Sequence, residues 1–320
     1  MRPRVIMLFT IAAIVLGGFV LVPAAFARLG RDEPDAAPAP AASPSTSPSA
    51  EATTPKQNPT PRPTPDAENR TTLAAGPVEV DVDGFFGWAL LDRATGTIAG
   101  SKNISATSST ESMIKIWLVS DYLRRAAERG EKPSAERLAQ ASTAIRDSND
   151  DAAQSLYVAG GGDPVVTRMI SICGLTDTKI GRSGWWSYTQ MSPRDAVRLG
   201  DCVKKGTAAG PQWTGWVLNE MARVRGTTAD KDQHEKSGGG RWGIIDGLPD
   251  EIVKRGVGIK NGWTRIGADG MWHLNCLAVA DDWVLAVTTR YPIEYGLDYG
   301  ANVCASVARQ LVTQTPETKG

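Results

Sequence analysis

Between Asp32 and Ala75 the chain reads "DEPDAAPAPAASPSTSPSAEATTPKQNPTPRPTPDAENRTTLAA", and this stretch limits what the rest can become. It holds no aromatic residue and almost no aliphatic periodicity, so it cannot bury enough apolar surface to offset the entropy lost on ordering. Residues 32–75 are therefore read as a disordered linker, with prolines that favour extended segments. The foldable stretch is 76–313, long enough for one sizeable core. Residues 314–320 are left as a C-terminal tail.

Upstream of the linker, Arg2 and Arg4 precede an apolar run that closes on Ala25-Phe26-Ala27. A basic start, an apolar core and an A-x-A site describe an export signal. The run is also nearly long enough to cross a bilayer. Residues 1–31 are thus a signal peptide or an N-terminal membrane anchor, and in both cases the remainder of the chain is extracytoplasmic, secreted or tethered to the membrane by this segment alone. Lys plus Arg and Asp plus Glu both total 35, which leaves no electrostatic case for a nucleic-acid partner.

In the foldable stretch, "GFFGWALLDRATGTIAG" alternates aromatic and aliphatic residues around Arg93 to Gly96, a hairpin pattern. A helical block comes next, from Thr110 to about Val224, punctuated by Gly and Pro. Strand-like runs return at "GVGIKNGWTRI", "MWHLNCLAVA" and "WVLAVTTRY", and "YGANVCASVARQLV" closes as an amphipathic helix. Strands at both ends with helices between them predict an α/β (α+β) fold, in which an antiparallel sheet is completed by both halves of the domain.

The chain has four cysteines and two histidines, His234 and His273, with no C-x-x-C pair, so no zinc site is expected. In an exported protein four cysteines imply two disulfides, and three pairings are possible. Cys173 with Cys202 would bracket one excursion of the helical block, and Cys276 with Cys304 would join a strand to the closing helix; this pairing is favoured.

From Met113 to Val119 every residue is apolar except Lys115. A helix here is greasy around most of its circumference and must be buried, yet lysine is rarely buried without a partner. Ser112 lies three residues earlier, on the same helical face. A serine in the first turn sits at the positive end of the helix dipole, and burial pushes a lysine toward its neutral form. Together they can form a nucleophile and its base. A chain of this composition contains roughly one S-x-x-K by chance; the bland alternative is a helix-capping Ser112 and a Lys115 that snorkels to water.

Company changes the balance. Ser148-Asn149-Asp150 stands ahead of "DDAAQSLY", and Lys260-Asn261-Gly262-Trp263 comes later on a strand. This order resembles the three motifs of the serine β-lactamases and penicillin-binding DD-peptidases: S-x-x-K, an S-D-N triplet and K-T-G. The "KNGW" form resembles the β-lactamase-like serine hydrolases of actinobacteria. The resemblance spans the foldable stretch and implies a β-lactamase/transpeptidase-like fold with an inserted helical subdomain. It implies Ser112 as the acylated nucleophile, Lys115 as its base, Ser148 as proton relay and Lys260 as the second cation. Asp150, Asn261, Gly262 and Trp263 would meet the substrate, the backbone N–H groups of Ser112 and Trp263 forming an oxyanion hole. The partner would be a β-lactam or a peptidoglycan-type molecule; no cofactor and no metal are implied.

Three departures from that pattern stand in the sequence. Asp150 stands where the family has an amide-bearing asparagine, and Asn261 replaces a hydroxyl residue. No glutamate occurs from Arg137 to Asn219, the span that would carry the deacylating glutamate of a class A β-lactamase. A non-catalytic envelope protein that keeps the fold is the rival expectation, and a serine-dependent glutaminase is a third. Trp185-Trp186 is read as cleft lining or packing, and the glycine-rich "AGGGD" and "SGGG" as loops.

Overall fold

The computed structural model describes residues 69–229 and 238–316. The apolar leader, the linker up to residue 68 and His234 lie outside the described residues. The strands are β1 (Asn69–Leu73), β2 (Phe85–Asp92), β3 (Ile98–Gly100), β4 (Ser108–Ser109), β5 (Gln190–Met191), β6 (Gly258–Ile259), β7 (Gly262–Ile266), β8 (Met271–Val279), β9 (Trp283–Pro292) and β10 (Val312–Pro316). The helices are α1 (Lys115–Glu128), α2 (Ala135–Arg146), α3 (Asp150–Ala159), α4 (Pro164–Cys173), α5 (Pro193–Lys204), α6 (Thr214–Ala222), α7 (Asp250–Lys254) and α8 (Gly296–Leu311).

Antiparallel pairing orders the central sheet β3-β2-β9-β8-β6, with β7 also on β8. The amino-terminal hairpin and the carboxy-terminal strands thus share one sheet, as the pattern of strands around a helical block predicts. Strands β6 and β7 are two halves of one edge strand, interrupted at Lys260 and Asn261, where Lys260 N–H still donates to Leu277 O at 3.0 Å.

Strand β8 is buried along nearly its whole length because both of its faces are covered. Alternation decides which side chain goes where. Leu277 reaches α5, whose Gly200 leaves no space for a Cβ beside Val284 and Val279. Leu274, on the opposite face, meets α8 at Gly300. In the helical block, the start of α1 and the turn leading into it are sealed: Met113, Ile114, Ile116, Trp117, Leu118 and Val119 are each at most 1% exposed. Buried side chains of this size contribute roughly 1.5–3 kcal/mol each.

The fold begins and ends beyond its expected limits. β1 forms in the stretch assigned by composition to the linker, and β10 in part from the expected tail; they pair in register from Asn69 with Pro316 to Leu73 with Val312. Composition could not show this, because the segment's apolar contribution is little more than Leu73, which is 6% exposed, and its backbone partner lies at the far end of the chain.

Cys173 is bonded to Cys202, and Cys276 to Cys304, the favoured pairing. They tie α4 to α5 and β8 to α8, and no cysteine among the described residues is free. The closed loops span 29 and 28 residues; loop-closure entropy assigns about 3–4 kcal/mol to each. Thiol labelling of the denatured, non-reduced protein should therefore find no reactive cysteine, and reduction should lower the melting temperature. Four labelled thiols would remove the pairing.

Candidate active site

Ser112 lies in a 3₁₀ turn, Glu111–Ile114, that runs directly into α1. The Lys115 N–H donates to Ser112 O, so the serine occupies the start of a continuous helical segment. The Lys115 side chain does not snorkel; it is fully buried. Its ammonium nitrogen meets Ser148 O, lies 3.4 Å from Ser148 Oγ and is paired at 2.5 Å with Asp150 Oδ1. The Trp186 ring centroid is 5.3 Å away. Burial lowers the Lys115 pKa to about 8, against the opposing pull of Asp150.

Lys260 approaches from the β6–β7 junction and is also fully buried. It reaches Ser148 Oγ at 2.8 Å and Asn261 O at 2.7 Å. Burial first, and then the Lys115 charge, pushes its pKa well below that of an ordinary lysine. The Ser148 hydroxyl thus stands between two lysines that cannot both be charged cheaply in so dry a place. Asn149 turns the other way and caps α3, its side chain accepting from Ala152 N–H at 2.8 Å.

Ser148 (φ +55°) and Glu111 (φ +48°) are the non-glycine residues with left-handed backbone among the described residues. That conformation costs a side-chain-bearing residue roughly 1–2 kcal/mol and persists where the surroundings over-determine it. Both flank the candidate chemistry. Glycine is obligatory at Gly262, where a Cβ would stand 2.6 Å from Thr110 O and Met113 N and 2.7 Å from Ser112 N. The β7 backbone can therefore press against the serine turn, next to the Trp263 N–H.

Two side chains of this strand are turned away from the serine. The Asn261 amide donates to Gly240 O and Trp242 O, both at 2.7 Å, so it braces the chain before the 3₁₀ turn Gly243–Gly247. The side chain of Trp263 is buried edge-on against Trp242, with ring centroids 5.2 Å apart. Side-chain alternation was the missing information: one face of this edge strand looks into the core.

A cavity of about 300 Å³ opens over Ser112 and is lined by Glu111, Asp150, Asp151, Gln154, Trp185, Trp186, Ser187 and Thr264. Trp186 is buried and donates to Gln154 Oε1 at 2.9 Å, whereas Trp185 is half exposed at the rim. Sequence reasoning missed Glu111, Ser109, Gln154, Thr264 and the proximity of His273. Glu111 had one available signal, a charged residue directly before the serine of the S-x-x-K.

No family model matches the chain. "Putative lipoprotein LppW" of Mycobacterium tuberculosis and of Mycobacterium bovis is 25% identical over 232 residues, covering 72% of this chain and 68% of that protein. An ancestral class A β-lactamase (GNCA) superposes with a TM-score of 0.54 at 18% identity, over 71% of this chain and 93% of that one. A β-lactamase from Desulfarculus baarsii gives 0.53 at 17% identity, over 71% and 90%. PBP-A gives 0.54 at 16% identity, over 73% and 90%. Identity this low speaks for architecture and not for chemistry, and by its architecture the chain has the fold of the serine β-lactamases and penicillin-binding proteins.

Proposed function

We propose that the chain is an exported serine hydrolase that forms an acyl-enzyme on a β-lactam or a peptidoglycan-related amide or ester. The observation that carries this reading is the meeting of two fully buried lysines on the Ser148 hydroxyl, beside the turn that bears Ser112. A fold needs no such arrangement, because an apolar pair would pack there at lower cost. The apolar leader, the two disulfides and a relative named as a lipoprotein support export.

In the acylation step neutral Lys115 takes the Ser112 hydroxyl proton as Oγ bonds to the substrate carbonyl carbon. The carbonyl π electrons move to oxygen, and the N–H groups of Ser112 and Trp263 receive the oxyanion. Collapse restores the carbonyl and breaks the bond to the leaving group, whose atom gains the proton from Lys115 by way of Ser148. Lys260 supplies positive charge for a substrate carboxylate and disfavours a second charge on Lys115. Water must then hydrolyse the ester, and no glutamate between Arg137 and Asn219 activates it.

The expected result with a penicillin is a long-lived adduct on Ser112. Intact mass over time should show one added acyl group that decays slowly, little turnover of a chromogenic cephalosporin, and nothing on Ser112→Ala. Rapid turnover without an adduct would reject slow deacylation. Absence of both adduct and turnover with every acyl donor would favour the non-catalytic envelope protein.

A further inference from the structure

A chain of short contacts leads from Glu111 to the surface. The carboxyl of Glu111, 3% exposed, has Oε1 at 2.6 Å from Ser109 Oγ. Ser109 Oγ lies 2.7 Å from His273 Nδ1, and His273 Nε2 lies 2.7 Å from Asp269 Oδ2. The Asp269 side chain is 43% exposed and that of His273 is 8% exposed. The topology builds this line, since Thr264 of β7 pairs across the sheet with His273 of β8 while Ser109 ends β4 just before the serine turn.

Counting protons along the line decides the state of Glu111. Asp269 is held ionised by His273 and the Met271 N–H despite some burial, so it can only accept and His273 Nε2 must carry a hydrogen. A neutral imidazole then presents a bare Nδ1, to which Ser109 donates. The hydroxyl has spent its proton, so the one between Ser109 and Glu111 must belong to Glu111. The alternative with equal protons, a Glu111 carboxylate beside a His273 imidazolium, puts two charges where burial opposes each of them. Removing a proton outright leaves two lone pairs facing each other somewhere along the line, and one bond is lost.

We propose that Glu111 works as a neutral carboxylic acid behind the acylated serine, that the Ser109–His273–Asp269 line holds its proton, and that Ser112 is acylated only while that proton is in place. This rests on the serine-hydrolase reading. A carboxylate one residue from Ser112 opposes the oxyanion that forms at the Ser112 and Trp263 N–H groups. It also holds Lys115 in its charged form, as the attraction between the two requires. A neutral Glu111 removes both penalties. The charged groups facing the carboxyl are Lys115 from α1 and Asp150 from α3; those facing the imidazole are Asp269 and Arg290. Burial, the largest influence on Glu111, raises its pKa to about 7. The protonated form is therefore lost as pH climbs through neutrality. Glu111 touches no reacting atom and is a positioning residue.

The first test needs no substrate. The chain has two histidines, so ring-nitrogen NMR of the full chain, assigned with His234→Gln, reads His273 directly. A neutral ring protonated on Nε2 at pH 7 is expected, together with a carboxylic-acid infrared band that disappears in Glu111→Gln. An imidazolium, or a ring protonated on Nδ1, overturns the proton assignment. The second test is the acylation rate against pH. Wild type should pass through a maximum, because Lys115 gains its base form while Glu111 loses its proton. Glu111→Gln, uncharged at every pH, should lose the alkaline fall, so that its ratio of rates at pH 9 and pH 6 exceeds the wild-type ratio about tenfold or more. A Gln variant that is slow throughout with an unchanged profile would make the carboxylate the working form. Wild type that takes no acyl group at any pH ends the hydrolase reading and the acylation clause with it, while the nitrogen pattern still decides the proton assignment.

Discussion

Replacing Lys115 by Met slows acylation of Ser112 by about 10² to 10⁴, the usual loss when a general base is removed, and shifts the melting temperature by only a few degrees. Met keeps the apolar stem, whose surroundings are those of a core residue, with Trp117 and Ile116 fully buried nearby in sequence. It also removes the desolvation cost of a buried ammonium, and the cost of breaking an ion pair is large only where the remaining partner is left dry. The partner left behind, Asp150, has a side chain 31% exposed and can be solvated. The pH profile is the sharper readout. Burial lowers the Lys115 pKa to about 8, so the acidic limb of wild-type acylation must rise with pH, because only neutral lysine accepts a proton. The Met variant has no such ascending limb. Mass-resolved acylation at several pH values, with a thermal melt of each variant, checks both halves. Normal acylation by a variant that melts early would show Lys115 to be a structural cation.

Asp150→Asn is expected to act in the opposite direction. Asp150 is the main influence keeping Lys115 charged, through both its charge and its hydrogen bond. An amide keeps the shape and removes the charge, which lets burial lower the lysine pKa further. A drop of one unit from about 8 raises the neutral fraction near pH 7 about fivefold. The amide also supplies N–H donors toward the cavity, where a carboxylate can only accept. Faster acylation by penicillins, by about fivefold at neutral pH, is the expected outcome. A slower variant would mean that Asp150 itself takes part in moving the proton. The native acid would then mark a substrate unlike an ordinary penicillin, one that presents a donor or a positive charge at this point.

Much of the fold and of the site is legible in the sequence. Apolar periodicity gave the order of strands and helices, and the single lysine in "SMIKIWLV" marked a buried charge with a partner to be found. Ser112, Lys115, Ser148, Asp150 and Lys260 do converge. The direction in which a side chain leaves an edge strand was not readable: the Asn261 side chain was expected at the substrate and is bonded into neighbouring chain, and the Trp263 ring packs on Trp242, leaving only its N–H for the oxyanion hole. Nor was the Glu111 line, because its members come from β4, the serine turn and β8, and only the tertiary fold brings Ser109 and His273 within 2.7 Å. Strand β1 escaped for a similar reason, as its partner is the other end of the domain.

That arrangement of the sheet has a consequence for the order of events in synthesis. Phe85 of β2 pairs with Arg290 of β9, so the first long strand to leave the ribosome, covered on one edge by the short β3, finds its long neighbour on the other edge only when the chain is almost complete. Contacts so distant along the chain close slowly, and until they close β2 offers an unpaired apolar edge that other chains can join. The serine turn has the same dependence, since Gly262 of β7 packs against it. A nascent or truncated chain lacking the last strands therefore carries Ser112 and Lys115 without the packed environment that surrounds them in the folded domain, and the candidate site comes into being only with the finished sheet.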